Sequence, residues 1–182
     1  QTDMRVKLKH VRLSYPHLFT PKAGPDGGDP KYSAAFILDK EKDKAQIKEL
    51  KAAIAKVHAE SPIAKTKIPD DKICLKDGSS KPDTYEDTVM FINASRGMKQ
   101  GAPPVVNKNP KQALTEADDI VYGGCYVNAV VDLWVQNNKW GKRINATLET
   151  VQFSGEGERF GRAPVKPEDE FEDIEEEDDP RA

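Results

Sequence analysis

The stretch "CYVNAVVDLWVQNNKWGKRINATLETVQF", residues 125–153, decides the fold because it joins two runs of alternating apolar and polar residues. Alternation with a period of two indicates β-strands that bury one face only. Between the runs, "NNKWGK" is rich in Asn and Gly, which favour tight turns. The runs 125–136 and 143–153 are therefore predicted to form a β-hairpin with a loop of about five or six residues.

The two faces of this hairpin differ in chemistry. One face carries the apolar side chains expected in the core, namely Val127, Ala129, Val131, Leu133, Val135, Ile144, Ala146 and Leu148. The other face carries Tyr126, Asn128, Trp134, Arg143 and Asn145, and the turn adds Lys139, Trp140 and Lys142. Aromatic rings interleaved with cations are typical of single-stranded nucleic-acid binding, in which bases stack on the rings and cations contact phosphates. In the alternative interpretation, Trp134 lies beneath a helix or loop and Tyr126 is a packing residue.

The N-terminal segment "MRVKLKHVRLSY", residues 4–15, also alternates, but its apolar positions change frame halfway along. The first apolar set ends at Leu8 and the second begins at Val11. Such a shift predicts a β-bulge or a sharp bend near Lys9 and His10, a device that strongly curved small barrels use. Pro16 is expected to interrupt this strand, and "TPKAGPDGGDP" (20–30) is expected to be a loop.

Two further strands and one helix complete the predicted elements. The strands are "KYSAAFILD" (31–39) and "TVMFINAS" (88–95). A helix is predicted over 40–60, because its apolar residues recur every three or four positions and share one face. These residues are Ile47, Leu50, Ile54 and Val57. Asp39 is expected to be its N-cap.

These elements predict a mainly β protein. The expected fold is an OB-like antiparallel barrel of about five or six strands, with one added α-helix at about residues 40–60 and long loops. A β-sandwich is the competing architecture. The OB-like nucleic-acid-binding domain is assigned to residues 1–161, and residues 162–182 to a linker and a disordered acidic C-terminal tail. One long loop, 96–111, carries Arg96, Lys99 and two further lysines without any acid.

Charge is distributed very unevenly along the chain. The formal net charge is -3, but residues 168–182 contain ten acids and one base, a net of -9. The other 167 residues therefore hold 27 bases and 21 acids, a net of +6. A basic body joined to an acidic tail suggests a nucleic-acid binder with a charged interaction arm. Within the tail, Phe171 and Ile174 together with Glu175, Glu176 and Asp178 form a candidate partner-binding peptide, because apolar residues suit a partner's pocket and acids steer the encounter.

Motifs for catalysis, metal binding and membrane insertion are missing from the sequence. There is no apolar run near the roughly 18 residues that span a bilayer, no visible signal peptide, and no P-loop or HExxH motif. Glu116, Asp118 and Asp119 form an acidic cluster, which is expected to be an exposed turn rather than a nuclease-like Mg²⁺ site. The segment "GEGERFG" (155–161) is expected to be a linker. The sequence therefore predicts no enzyme, no cofactor, no metal and two reduced cysteines.

Several segments resemble a family of bacteriophage single-stranded DNA-binding proteins. These are "YGGCYVNAVVDLW", "WGKRINATLETVQFSGEGERFG", "VKLKHVRLSYPHLFTP", "KYSAAFILDK" and "FINASR". The resemblance covers roughly residues 5–161, and it is most specific at 122–128 and 141–161. It implies an OB-fold with an added helix and an acidic tail.

The resemblance also implies a function. A member of this family coats single-stranded DNA during phage DNA replication and recombination in the cytoplasm of the infected bacterium. Its tail recruits phage or host replication proteins such as polymerase and helicase or primase, and competes with DNA for the basic surface. A homodimer is a further candidate assembly. The competing hypotheses are an RNA-binding or RNA-chaperone OB module, and a protein–protein adaptor whose tail mimics nucleic acid.

Overall fold

The computed structural model describes residues 4–24, 27–160 and 171–174. Within this part of the chain it contains seven β-strands and one α-helix. In chain order they are β1 (Met4–Lys22), β2 (Lys31–Asp39), α1 (Lys44–Ala59), β3 (Leu75–Asp77), β4 (Val89–Gly97), β5 (Val105–Val106), β6 (Tyr126–Asn138) and β7 (Gly141–Gly155). In the described residues, no helix is long and apolar enough to cross a membrane.

The strands form a closed barrel. Their order in the sheet is β3-β4-β2-β1-β6-β7-β5, and an additional pairing of β4 with β7 joins the two sides. Five strands, β1, β2, β4, β7 and β6, therefore form the ring, and β3 and β5 are short additions to it. The predicted OB-like barrel with one helix is confirmed. Its closing contact is parallel, at Ser95 and Thr147, so the barrel is mixed rather than wholly antiparallel.

The core lies where the alternation predicts it. Seven of the eight predicted core residues of β6 and β7 are buried, namely Val127, Ala129, Val131, Leu133, Ile144, Ala146 and Leu148, while Val135 is only partly buried. All four apolar residues of the α1 face are buried, and α1 packs against β1 and β6. Burying one Leu, Ile or Val side chain stabilises a fold by about 1.5–3 kcal/mol, so this shared core holds the helix on the barrel.

Two bulges bend β1. The register between β1 and β6 shifts between Leu8 and Val11, and His10 has a φ of 50°. This confirms the bulge predicted from the change of frame. The second bulge was not predicted: the register between β1 and β2 shifts between Ser14 and His17, and Tyr15 has a φ of 47°. The strand continues through Pro16, because an irregular ladder tolerates a residue without an N–H.

The hairpin loop and the helix start differ from the sequence predictions. The ladder of β6 and β7 continues to the pair Asn138 and Gly141, which leaves a two-residue loop at 139–140 instead of five or six residues. The sequence prediction was too long because the polar residues at the exposed end of this ladder, such as Asn137 and Asn138, are residue types that also occur in turns. Helix α1 begins at Lys44 with Asp43 as N-cap. Asp39 instead accepts hydrogen bonds from the backbone N–H groups of the turn at 41–42, and these bonds lower its pKa.

Residues 156–160, hereafter the strap, pack against the barrel after β7. The Phe160 N–H donates to the Gly123 carbonyl at 2.8 Å, and the Tyr122 hydroxyl donates to the Gly157 carbonyl at 2.8 Å. The Arg12 guanidinium donates to the Glu158 carbonyl at 2.6 Å and lies 4.2 Å from the centroid of the Phe160 ring. The segment predicted to be a linker is therefore part of the folded body up to residue 160.

The strap approaches the barrel so closely that glycine is required at Gly124. This residue has a φ of 112°, and a Cβ there would lie 2.1 Å from the Glu158 carbonyl oxygen. We expect Gly124→Ala to lower the free energy of unfolding by roughly 2–4 kcal/mol, because it combines backbone strain with a collision. Denaturant titration measures this change.

Gly141→Ala is the matched control, because Gly141 has a φ of 124° but no heavy atom within 4 Å of the added Cβ. Its cost, about 1–2 kcal/mol, reports backbone strain alone. Equal losses in the two variants would contradict a tightly packed strap.

Candidate nucleic-acid interface

A large open groove crosses the face of β2 and β4. Its volume is about 1520 Å³. Residues of β2 and β4 line it together with the β1–β2 connection, segment 72–85, segment 96–100 and the hairpin half of β6 and β7. β2 and β4 are the second and third strands of the barrel, and the face of those strands is where OB-folds bind oligonucleotides. The position of the groove in the fold therefore makes it the candidate site.

The groove is strongly basic. Eight of its lining residues are Lys or Arg, whereas Asp29 is the single acid among them. The eight are Lys22, Lys31, Lys72, Lys76, Lys81, Arg96, Lys99 and Arg143. Within the described residues, only Arg96 of this set forms a salt bridge. Cations without carboxylate partners are available to a polyanion.

Lys76 illustrates the crowding of positive charge. Burial lowers its pKa, and the neighbouring Lys81 and Arg143 lower it further, while Asp71 acts in the opposite direction. Its ammonium donates to the Asp71 carbonyl at 2.7 Å. Because like charges disfavour the charged form, a phosphate near these side chains relieves their mutual repulsion.

Aromatic rings line the groove beside the cations. Trp134 is partly buried, and its indole N–H donates to the Thr147 hydroxyl at 3.0 Å, which holds the ring in place. Tyr15 is 62% exposed. Tyr85 is partly buried and stacks on Phe91 with the ring centroids 4.3 Å apart. The groove thus combines cations with ring surfaces, as sequence-tolerant binding of single strands requires.

The hairpin tip projects beyond the groove. Trp140 is 75% exposed, and the Lys139 ammonium lies 5.0 Å from the centroid of its ring. Lys142 is exposed on the same tip. None of these three residues lines the groove, but β6 and β7 also carry Trp134 and Arg143, which do. The tip corresponds to the last hairpin loop of an OB-fold, which takes part in oligonucleotide binding.

Arg96 and Lys99 lie on one segment of the groove but have different surroundings. The Arg96 guanidinium donates to the carbonyls of Gly101, Gln100 and Leu148 at 2.9, 3.1 and 3.3 Å, and it lies 3.8 Å from the Glu149 carboxylate. Arg96 therefore holds the segment after β4 in place. Lys99 is exposed on that segment and has its ammonium available.

Tyr126 lies apart from the groove. Its ring stacks on His10 with centroids 4.5 Å apart and planes at 8°. A Cβ on Gly157 of the strap would lie 3.1 Å from the Tyr126 ring. These contacts place Tyr126 among the packing residues at the strap, which was the alternative interpretation of this residue.

Alternation along the hairpin does not predict six further members of the groove, namely Tyr15, Tyr85, Lys22, Lys31, Lys76 and Lys81. Their cations and rings are visible in the sequence, but the residues come from three separate segments. The pairings of β1 with β2, of β2 with β4 and of β4 with β3 bring these segments together. Alternation along one strand contains no information about contacts between distant loops.

The acidic cluster of Glu116, Asp118 and Asp119 lies outside the groove. Within the described part of the tail, Phe171 is 75% and Ile174 is 93% exposed, whereas Glu175, Glu176 and Asp178 lie outside the described residues. Asp118 accepts a hydrogen bond from the Thr115 N–H at 2.7 Å, and Asp119 lies 3.4 Å from Arg159. Across the described residues, no His, Cys, Asp and Glu side chains group as metal ligands do.

Comparisons with known proteins find clear relatives. Residues 4–180 match the family described as "Enterobacter phage Enc34, ssDNA-binding protein". Protein p50 of Acyrthosiphon pisum secondary endosymbiont phage 1 is 36% identical over 180 residues, which cover 94% of each chain. The solved structure of the single-stranded DNA-binding protein from bacteriophage Enc34 in complex with ssDNA is 34% identical, with a TM-score of 0.76 over 86% of this chain and 89% of that chain.

A more distant structure shares the fold. Gp2.5, a single-stranded DNA-binding protein encoded by bacteriophage T7, is 16% identical, with a TM-score of 0.61 over 98% of this chain and 100% of that chain.

The cysteines are expected to be chemically inert in the folded protein. Cys74 lines the groove, but burial raises the pKa of its thiol to about 11, and burial also raises the pKa of Cys125. Because the thiolate is the reactive form, iodoacetamide at pH 8 should alkylate neither cysteine before unfolding and both after it. Mass spectrometry measures the modification, and rapid labelling of folded Cys74 would contradict its burial.

Proposed function

The chain belongs to the family of the Enterobacter phage Enc34 single-stranded DNA-binding protein, and we propose that it binds single-stranded DNA in the groove without sequence preference. This is a family of DNA-binding proteins and not of enzymes. The observation that carries the proposal is the composition of the groove: eight cations to one acid, with aromatic rings among them. A solved relative in complex with ssDNA supports it.

The mechanism combines two kinds of contact. Lys22, Lys31, Lys76, Lys81 and Arg143 neutralise phosphates and release counterions, which makes the affinity sensitive to salt. Trp134 offers its ring to a base, and every base has a face that stacks. Because neither contact reads the edge of a base, binding tolerates any sequence.

Two of the residues predicted from the sequence to bind DNA have other primary roles in this mechanism. Arg96 shapes the groove by holding segment 97–101 through its carbonyl bonds. Tyr126 supports the strap through its stack on His10. Lys99 and the hairpin tip with Lys139, Trp140 and Lys142 extend the surface at its edges.

The acidic tail acts as a competitor for the groove and as a docking peptide. Residues 168–182 have a net charge of -9, and the rest of the chain has +6, so the tail is attracted to the surface that binds DNA. Phe171 and Ile174 are largely exposed and suit the pocket of a replication protein such as a polymerase, helicase or primase. Glu175, Glu176 and Asp178 steer that encounter.

In the infected bacterium, the protein coats single-stranded DNA in the cytoplasm during phage replication and recombination. Residues 1–161 form the DNA-binding body, and residues 162–182 form the linker and tail. DNA that fills the groove displaces the tail and frees it for a partner.

Titration with oligo-dT tests the proposal. We expect quenching of tryptophan fluorescence, because Trp134 and Trp140 contact bases, and an affinity that falls steeply as salt rises. Trp140→Ala should weaken binding by about 1–3 kcal/mol, and Lys76→Gln or Lys81→Gln should each reduce the salt slope by about one. Absence of binding at low salt would overturn the proposal, and stronger binding of oligo-U would favour the RNA-binding alternative.

Lys51→Gln is the matched control for the lysine variants. Lys51 is exposed on α1 and does not line the groove. The substitution Lys51→Gln changes the net charge by the same amount as Lys81→Gln, but it removes no phosphate contact. If Lys51→Gln reduced the salt slope as much as Lys81→Gln does, the result would indicate that DNA binds outside the groove.

Deletion of residues 168–182 tests the tail. The deletion changes the net charge from -3 to +6, so DNA affinity should rise at low salt, and the gain should shrink as screening increases. A full-length variant with Phe171→Ala and Ile174→Ala keeps the charge and should bind DNA as the unsubstituted chain does, but lose capture of the polymerase or helicase. Unchanged affinity after the deletion would contradict competition.

A further inference from the structure

Tyr15 stands out among the residues with a left-handed backbone. In the described part of the chain, three non-glycine residues have positive φ: His10 at 50°, Tyr15 at 47° and Asp119 at 49°. A bulky residue in this region is strained, and strain of this kind concentrates at functional sites. Each of the three therefore requires a physical reason for its conformation.

For His10 and Asp119 the structure supplies that reason. The His10 N–H donates to the Asn128 side chain at 2.8 Å, and the ring lies 2.6 Å from the Ser154 hydroxyl and stacks on Tyr126. Asp119 lies 3.4 Å from the Arg159 guanidinium. In both cases contacts within the protein compensate for the strained backbone.

Tyr15 has no comparable compensation. Its side chain is 62% exposed, and no hydrogen bond or ring contact to it occurs within the described residues. The bulge that creates its φ reverses the frame of β1, so that Leu13 and Ser14 are both buried and Tyr15 turns outward. It turns into the lining of the groove. The strain therefore presents the Tyr15 ring to the groove.

The neighbours of Tyr15 hold this arrangement in place. The buried Ser14 hydroxyl lies 3.2 Å from the Tyr85 hydroxyl, and Tyr85 is stacked on the fully buried Phe91. These contacts fix the backbone on one side of Tyr15, and the proline ring of Pro16 restricts it on the other. The ring is therefore placed before any ligand arrives, which lowers the entropic cost of binding.

From this geometry we infer that Tyr15 is a nucleobase-stacking residue at the β1–β2 end of the groove, opposite Trp134 at the hairpin end. Neighbouring pairs connect the two ends: His17 with Ser33, Ser33 with Ser95, and Ser95 with Thr147, which receives the Trp134 hydrogen bond. Three strand spacings, about 14 Å along the barrel wall, separate His17 from Thr147. A single strand then crosses the β-strands with one base on each ring. This inference rests on the proposed function.

Tyr15→Asn tests the inference, because asparagine accepts the left-handed region far better than tyrosine and offers no ring. We expect the thermal midpoint to rise by about 2–4 °C while the dissociation constant for oligo-dT increases about 5- to 150-fold. Tyr15→Phe keeps the ring and should bind within about 2-fold of the unsubstituted protein. The salt slope should not change in either variant, since the ring carries no charge.

His10→Asn is the matched control, because it changes the other bulge of β1 at a residue outside the groove, and its DNA affinity should stay unchanged. If Tyr15→Asn raises the stability and lowers the DNA affinity, the result supports a stacking role, because replacing a residue with a purely structural role would not have these opposite effects. Unchanged affinity, or a parallel loss of stability and affinity, would overturn the inference and leave the proposed function standing. Absence of oligo-dT binding by the unsubstituted protein would overturn both.

Discussion

The parallel contact between β4 and β7 is the constraint on which the rest of the structure depends. Hairpin pairings alone produce an open sheet, in which segment 72–85 and the hairpin half of β6 and β7 lie far apart. The pair Ser95 and Thr147 closes the ring. Closure brings the hairpin half of β6 and β7, with Trp134 and Arg143, beside the lysines of the other strands. The combination of rings and cations in one groove is therefore a property of the closed barrel and of no single element.

Long, strongly periodic elements were predictable from the sequence, and contacts between distant segments were not. The core residues of β6 and β7, the apolar face of α1 and the bulge at His10 follow from the period of two, the period of 3.6 and a change of frame. Trp134 and Arg143 were found for the same reason, since they share the outer face of one hairpin. Tyr15 and Lys81 were missed because strand pairing between distant segments, and not sequence spacing, brings them to one groove. The strap was missed because short glycine-rich segments look alike whether they dock or not.

The two bulges of β1 show that similar backbone distortions have different uses. At His10 the distorted backbone is held by Asn128 and the ring by Ser154 and Tyr126, and the product is a tight corner beside the strap. At Tyr15 the side chain is left exposed in the groove. One bulge curves the barrel, and the other aims a side chain. Comparing the contacts of strained residues within one chain thus separates strain that serves the fold from strain that serves a surface.

The docked strap has a consequence for the tail that goes beyond charge. Because Phe160 is bound to Gly123 and covered by Arg12, the tail starts from a fixed point on the barrel. Ten residues lie between Phe160 and Phe171, a span of at most about 40 Å. A peptide tethered at that distance meets its own barrel at a constant effective concentration. In the proposed competition, the hold of the tail on the groove is therefore independent of how dilute the protein becomes, and at a given salt concentration the concentration of DNA determines when the tail is released.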